Sequence, residues 1–236
     1  MLRTEIALRT AWDQVFRTFN VPETGSVILG GPLAERFGAS IPFAVVDEVS
    51  GLVSLGSGPT LEPNSSVVAS GLAPASVDAV FMVDAWRSHD ELLAVVRESK
   101  RIVKPAGKVW LASLNIEGLT NATPVVRPSA LFYASGGMVS SAVDTRNEVF
   151  ASTELALLRA GLVSIETWPS DLPIAAFDTI DHYVKAVHNG MWPGAEALDT
   201  AQWVDLEVEL RRLLAGAEMP VVEREPWLLA SAIKPG

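Results

Sequence analysis

The 236-residue chain predicts an α/β fold, a doubly wound and mostly parallel sheet, and three observations carry that expectation. From Ser26 onward, short apolar runs alternate with stretches of helical period. Gly and Pro punctuate the joins between them. The composition, 49% hydrophobic and 19% charged, suits one globular domain over residues 1–236 with a substantial core.

The elements follow in order. Ile6, Leu8, Ala11, Trp12, Val15, Phe16 and Phe19 recur at helical spacing between Arg9, Asp13 and Arg17, predicting an amphipathic helix over Thr4 to Phe19, within residues 1–20. Ser26 to Leu29 reads as the first strand, with Gly30-Gly31 as its exit. Pro32 to Phe37 reads as a short helix opening on Pro and closing at Gly38. A second strand, Ile41 to Val46, ends at Asp47, and the Gly-, Ser- and Pro-rich stretch Ser50 to Ser66 reads as loop.

Asp78 to Val83 is a continuous apolar strand, followed by a helix over His89 to Val103 with Leu92, Leu93, Val96 and Ile102 on one face. Lys104-Pro105-Ala106-Gly107 ends that helix, with Gly107 expected to supply a positive φ, and Lys108 to Ser113 is the next strand. Asn115 to Glu148 is long and irregular, as lids and binding loops are. Thr153 to Ala160 is a helix with Ser152 as N-cap and Gly161 as terminator, and Val163 to Thr167 is a strand. Residues 171–222 form a helical insertion, broken at Gly190 and Pro193-Gly194, before a last strand at Trp227 to Ile233.

Composition also excludes. The chain has no cysteine, so thiolate metal sites, disulfides and thiol nucleophiles are ruled out. A net charge of -10 opposes nucleic acid, whose binding rests on Lys and Arg neutralising phosphates. No apolar run reaches the roughly 18–20 residues of a membrane span, and Met1 to Glu5 lacks the pattern of a signal peptide, so the expected location is cytoplasmic.

Three segments resemble class I S-adenosylmethionine methyltransferases, of the type 11 kind. Ser76-Val-Asp78-Ala-Val80 is similar to "sFDxV". Glu98-Ser-Lys-Arg101-Ile-Val-Lys104-Pro105-Ala106-Gly107-Lys-Val-Trp-Leu111 is similar to "ExxRvLkPGGxl". Phe150 to Leu162 is similar to "fsxxelxxLlxxaGF". The resemblance runs from about Ser26 to Thr167, with Trp227 to Ile233 as the last strand. It implies a Rossmann-like sheet of seven strands and S-adenosylmethionine as cofactor, with no metal.

The resemblance also assigns positions. Its glycine loop "(D/E)xGxGxG" corresponds to Ile28-Leu-Gly30-Gly31-Pro32-Leu33-Ala34. Only Gly30 stands on a family glycine. Pro32 and Ala34 occupy the other two, and Ile28 replaces the acid. Pro lacks the N–H such a cradle uses and fixes φ. Asp47 falls where the family contacts the ribose, or else acts as a turn cap. Ser70, Gly71 and Leu72 fall on the adenine side, without a carboxylate.

Asp84 and His89 sit at the carboxyl end of the sheet, where open α/β folds bind ligands, and either suits a general base; Asp84 also borders the cofactor position. The competing reading is that Ser88 or Asp90 caps the following helix, with His89 in solvent and Trp86 packed. His182 and His188, six residues apart, do not share a helix face as a metal pair would. With Tyr183, Trp192 and Trp203 they form either the insertion's own core or a lid or interface. The acids four residues ahead of Arg211 mark a solvated helix.

Two functions follow. An intact frame with an eroded cofactor loop predicts a non-catalytic regulatory, scaffolding or binding partner, in a homo- or hetero-oligomer with a related methyltransferase. The alternative is a divergent methyltransferase acting on a small molecule.

Overall fold

The computed structural model describes residues 3–18, 25–31, 45–49, 52–86, 88–114, 153–189 and 198–236, with backbone alone for 45–49 and Leu114. The helix expected at 32–37, the lid expected at 115–148, Ser152, Trp192 and Pro193-Gly194 lie outside them. In chain order the elements are α1 (Arg3–Thr18), β1 (Ser26–Gly30), β2 (Val45–Val49), β3 (Leu52–Gly56), β4 (Val77–Val83) and α2 (His89–Ile102). Then come β5 (Val103–Leu114), α3 (Thr153–Arg159), β6 (Val163–Phe177), α4 (Ile180–His188), α5 (Thr200–Leu214) and β7 (Val221–Ile233).

One seven-stranded sheet runs β2-β3-β1-β4-β5-β7-β6. Its centre is parallel: β1 pairs with β4, and β4 with β5. These strands are apolar at consecutive positions because helices or the insertion cover both faces. Val27 and Leu29 point to one face and Ile28 to the other, as the two-residue period of a strand dictates. On the first face α1 buries Ala11, Trp12, Val15 and Phe16, and an aromatic series continues inward. Trp12 meets Phe16 with centroids 5.6 Å apart, Phe16 meets Phe81 at 6.0 Å, and Phe81 meets Trp110 at 6.5 Å. The second face takes Leu92, Val95, Val96 and Ile102 of α2, and Ala156 and Leu157 of α3.

The sheet is mixed, which corrects the mostly parallel expectation: β2–β3, β3–β1, β5–β7 and β7–β6 are all antiparallel. Part of the Ser50 to Ser66 stretch, expected as loop, is strand β3, which pairs with β1 in place of a parallel second strand. The hairpin β6–β7 is longer than the two strands expected, so residues 171–177 and 221–222 belong to the sheet rather than to the helical insertion. Pro169 and Pro173 are tolerated in β6 because it is the edge strand and their missing N–H groups interrupt no central ladder.

The motif residues hold the parallel strands in place. Asp78 accepts hydrogen bonds from the Ser26 N–H at 2.8 Å, the Ser26 hydroxyl at 2.9 Å and Lys104 Nζ at 2.6 Å, tying the starts of β1, β4 and β5. Lys104 beside it, with Ser26, holds the Asp78 carboxyl below its ordinary range despite the opposing effect of partial burial. In the turn before Lys108, the positive φ falls on Ala106 (61°) and not on Gly107 as the sequence suggests. Gly107 is needed for room: a Cβ there would crowd Val103, the Asp78 carbonyl and the Lys104 carbonyl.

Replacing Asp78 with Asn should therefore cost about 1–2 kcal/mol at pH 7, since the site is only partly buried. The folded pKa is depressed, so this stabilisation is present above the unfolded value of about 4 and is lost as pH falls below it. Urea unfolding of both proteins at pH 7 and near pH 3 should show the gap between them closing in acid. A gap independent of pH would contradict the role given to the carboxylate.

Candidate functional site

In an open α/β sheet the ligand crevice lies at the carboxyl ends of the parallel strands, and here those ends are Gly30-Gly31, Val83-Asp84 and the start of α2. Gly31 has φ +113° and is buried. A Cβ on it would overlap the Val83 carbonyl and press on the Ala85 side chain, so the exits of β1 and β4 are in backbone contact. Gly30 is constrained more softly, because its added Cβ would meet the movable Met82 thioether.

Asp84 directly follows β4 with φ +50°, an uncommon conformation for a residue with a side chain. Its N–H donates to the Ala112 carbonyl at 2.8 Å, and the residue is half-buried. Such an outlier is held only where its surroundings over-determine it, and these cluster at functional sites. Ser88 is the N-cap of α2, its hydroxyl accepting from the Glu91 N–H at 3.3 Å. His89 is thus the first helical residue, and Trp86 is packed in the core beneath α2. Gly30, Gly31, Asp84 and His89 share this edge of the sheet.

The other assigned positions lie elsewhere. Asp47 is in β2, the outermost strand, in register with Ser54 of β3 and through it with Ile28 of β1. It therefore sits one strand further out than a neighbour of β1, and two residues short of the level of Gly30. At about 4.8 Å per strand, β2 runs roughly 10 Å from β1.

Ser70, on the adenine side, is buried, and its N–H and hydroxyl donate to Glu98 Oε1 at 2.8 and 2.5 Å. Its carbonyl accepts from the Ser65 hydroxyl, and Leu72 is packed in the core. Glu98 is about 13 Å along α2 from the carboxyl edge, at 1.5 Å per residue. Burial pushes the Glu98 carboxyl up, but bonds from Arg101 (2.7 Å to each oxygen) and Ser70 outweigh it and hold it below the ordinary range. The "ExxR" pair is thus a clasp that holds residues 70–72 against α2 and away from the crevice.

In the insertion, His182 pairs with Asp178 at 2.5 Å, while His188 stacks on Trp203 with centroids 4.3 Å apart and lies 3.6 Å from Glu207. The two histidines have separate partners. Tyr183 is buried and donates to Glu223 Oε2 at 3.0 Å. The period of β7 puts Glu223 and Glu225 on the face of Trp227 and Leu229, and both carboxylates are buried. Sequence reading overlooked them; alternate acids leading into Trp227 were the available signal. No group of three metal-ligating side chains occurs among the described residues, and none of their helices is long and apolar enough to cross a membrane.

No family model matches the chain, and no curated protein does. Solved structures with a similar arrangement include phosphoethanolamine N-methyltransferase 2 of Haemonchus contortus, in complex with phosphomonomethylethanolamine and S-adenosylhomocysteine. It is 14% identical with a TM-score of 0.45, and the match covers 95% of this chain but 53% of that one, so the chain spans about half its length. A protein of Anabaena variabilis, described as a methyltransferase from an antibiotic biosynthesis pathway, is 15% identical over 95% and 98% of the two chains, with a TM-score of 0.48. A SAM-dependent methyltransferase of Thermotoga maritima is 13% identical over 98% and 89%, with a TM-score of 0.43. The seven-stranded sheet with its parallel centre and terminal antiparallel pair, with the described parts of the three motifs in their expected places, is a Rossmann-like, methyltransferase-like fold.

Gly31→Ala should destabilise by about 3 kcal/mol, from positive φ and overlap with a carbonyl that cannot move aside. Gly30→Ala should cost about 1 kcal/mol, because Met82 can repack. Urea unfolding of both variants checks the order; equal losses would mean that the β1 and β4 exits are not in contact.

Proposed function

We propose that the protein uses the methyltransferase frame without methyl transfer, as a regulatory or scaffolding partner. The carrying observation is the antiparallel strand beside β1: β3 occupies the position from which a ribose-binding acid would reach the crevice, and Asp47 lies on the strand beyond it. Three further features support the same reading. Gly31 is packed on the β4 exit, Pro32 and Ala34 stand where the loop needs glycine, and Ser70 is committed to Glu98. These residues do not fit S-adenosylmethionine in the family's manner.

A partner surface suits the insertion. Val204 and Val208, one turn apart on α5, are 57% and 62% exposed, and Ile6 of α1 is 50% exposed. Exposed apolar residues grouped on a helix are the usual material of an interface. The natural occupants are a second copy of the chain or a related methyltransferase.

Asp84 favours a second reading, a divergent methyltransferase on a small molecule. Its positive φ at the crevice is the kind of strain that catalytic positions keep, and Asp84 or His89 would take the acceptor's proton.

Calorimetric titration with S-adenosylmethionine and S-adenosylhomocysteine separates the two. The proposal expects no saturable binding up to about 1 mM, whereas micromolar binding overturns it and favours the enzyme. Sedimentation should show an assembly that Val204→Glu with Val208→Glu dissociates. A monomer in both would remove the interface from the proposal.

A further inference from the structure

The sheet carries a hollow over its β5, β7 and β6 strands, on the face that α1 covers. It measures about 340 Å³. Its floor is a row of three residues in register: Trp110 of β5, Ser231 of β7 and Glu166 of β6. Ser231 is small, so the floor is low between a buried indole and a carboxylate. Two residues along each outer strand, and therefore on the same face, Lys108 flanks Trp110 and Trp168 flanks Glu166. The last residue of α1, Thr18, closes one side.

The charges are set apart. Lys108 Nζ lies 5.6 Å from the Trp110 ring centroid, a cation on an aromatic face. Among the described residues Lys108 and Glu166 form no ion pair with each other and no hydrogen bond to a third side chain. A cation and a carboxylate on either side of one hollow, with an indole beside each, complement a molecule that carries both charges on one carbon with an aromatic ring attached through it. Ser164, also at the rim, has φ +52°, a conformation held against its intrinsic preference.

We infer that this hollow binds a small zwitterion with an aromatic ring, the chemistry of an aromatic α-amino acid. Its carboxylate meets Lys108, its ammonium meets Glu166, and its ring lies over Ser231 between Trp110 and Trp168. The site stands on the cavity and its charges alone, so it holds whether or not the crevice beside β1 and β4 takes a cofactor.

The test is calorimetric titration of the intact chain with three probes: L-phenylalanine, phenethylamine, which lacks the carboxylate, and 3-phenylpropionate, which lacks the ammonium. Phenylalanine should bind saturably with a Kd of about 1 mM or tighter, and each single-charge probe at least about tenfold more weakly. Lys108→Met should abolish the advantage of phenylalanine over phenethylamine, and Glu166→Gln its advantage over 3-phenylpropionate. Both residues are at least partly exposed, so the variants should keep the wild-type thermal midpoint. Absence of saturable phenylalanine binding to the wild type would overturn the inference. So would binding that neither substitution alters, or equal binding of all three probes.

Discussion

The whole structure depends on burying three parallel strands, β1, β4 and β5, on both faces at once. A strand covered on both sides cannot use polar residues on either, and a parallel pair needs a crossover to bring the chain back. Those two demands explain the apolar runs, and they explain α2, which carries the chain from β4 to β5. They also explain why α1 is needed. Without it the row from Phe81 to Trp110 would be open to water, and Trp12 and Phe16 fill that gap. Asp78 is the polar counterpart of this packing, because it ties the starts of all three strands where their backbones would otherwise be free to slide.

The motifs that carry the family resemblance do this structural work and little else. Asp78, Glu98, Arg101, Lys104 and Gly107 bind strands, a loop and a turn to one another, at the amino ends of the strands or partway along α2. Gly30, Gly31, Asp84 and His89 lie at the other end, at the carboxyl ends of the strands. A chain can therefore keep the first set under the demands of folding while the second set drifts. In this sheet the parallel centre stands beside an antiparallel neighbour of β1.

Much of this was legible in the sequence. α1, β1, β4, α2 and the close of α3 at Gly161 were plain, because period, caps and glycine signals agreed there. β3 was hidden because Leu52-Val53-Ser54-Leu55 is a short run among glycine and serine, and its pairing with β1 is a contact no local pattern announces. The long ends of β6 and β7 were disguised by Pro169, Asp171 and Pro173, and by Glu223 to Pro226, residues that a sheet edge tolerates. Of the candidate site residues, Gly30, Gly31, Asp84 and His89 stand together at the carboxyl ends of the parallel strands, where strand and helix signals put them. Asp47 stands apart from them on the outermost strand, because β3 pairs with β1, and Ser70 is bonded to Glu98; neither contact is announced by local sequence. The hollow over β5, β7 and β6 depends on three strands in register, which no single segment reveals.

The proposed function turns on the direction of the strand beside β1, and the cysteine-free chain permits a clean test of it. Paired cysteines at Ile28 and Ser54, and separately at Val27 and Leu55, stand directly opposite one another only in the antiparallel register. Oxidation followed by proteolysis and mass spectrometry should recover a disulfide-linked pair of peptides from at least one of the two variants. Free thiols in both, in protein that is otherwise folded, would contradict the antiparallel β1–β3 pairing on which the displacement of Asp47 rests.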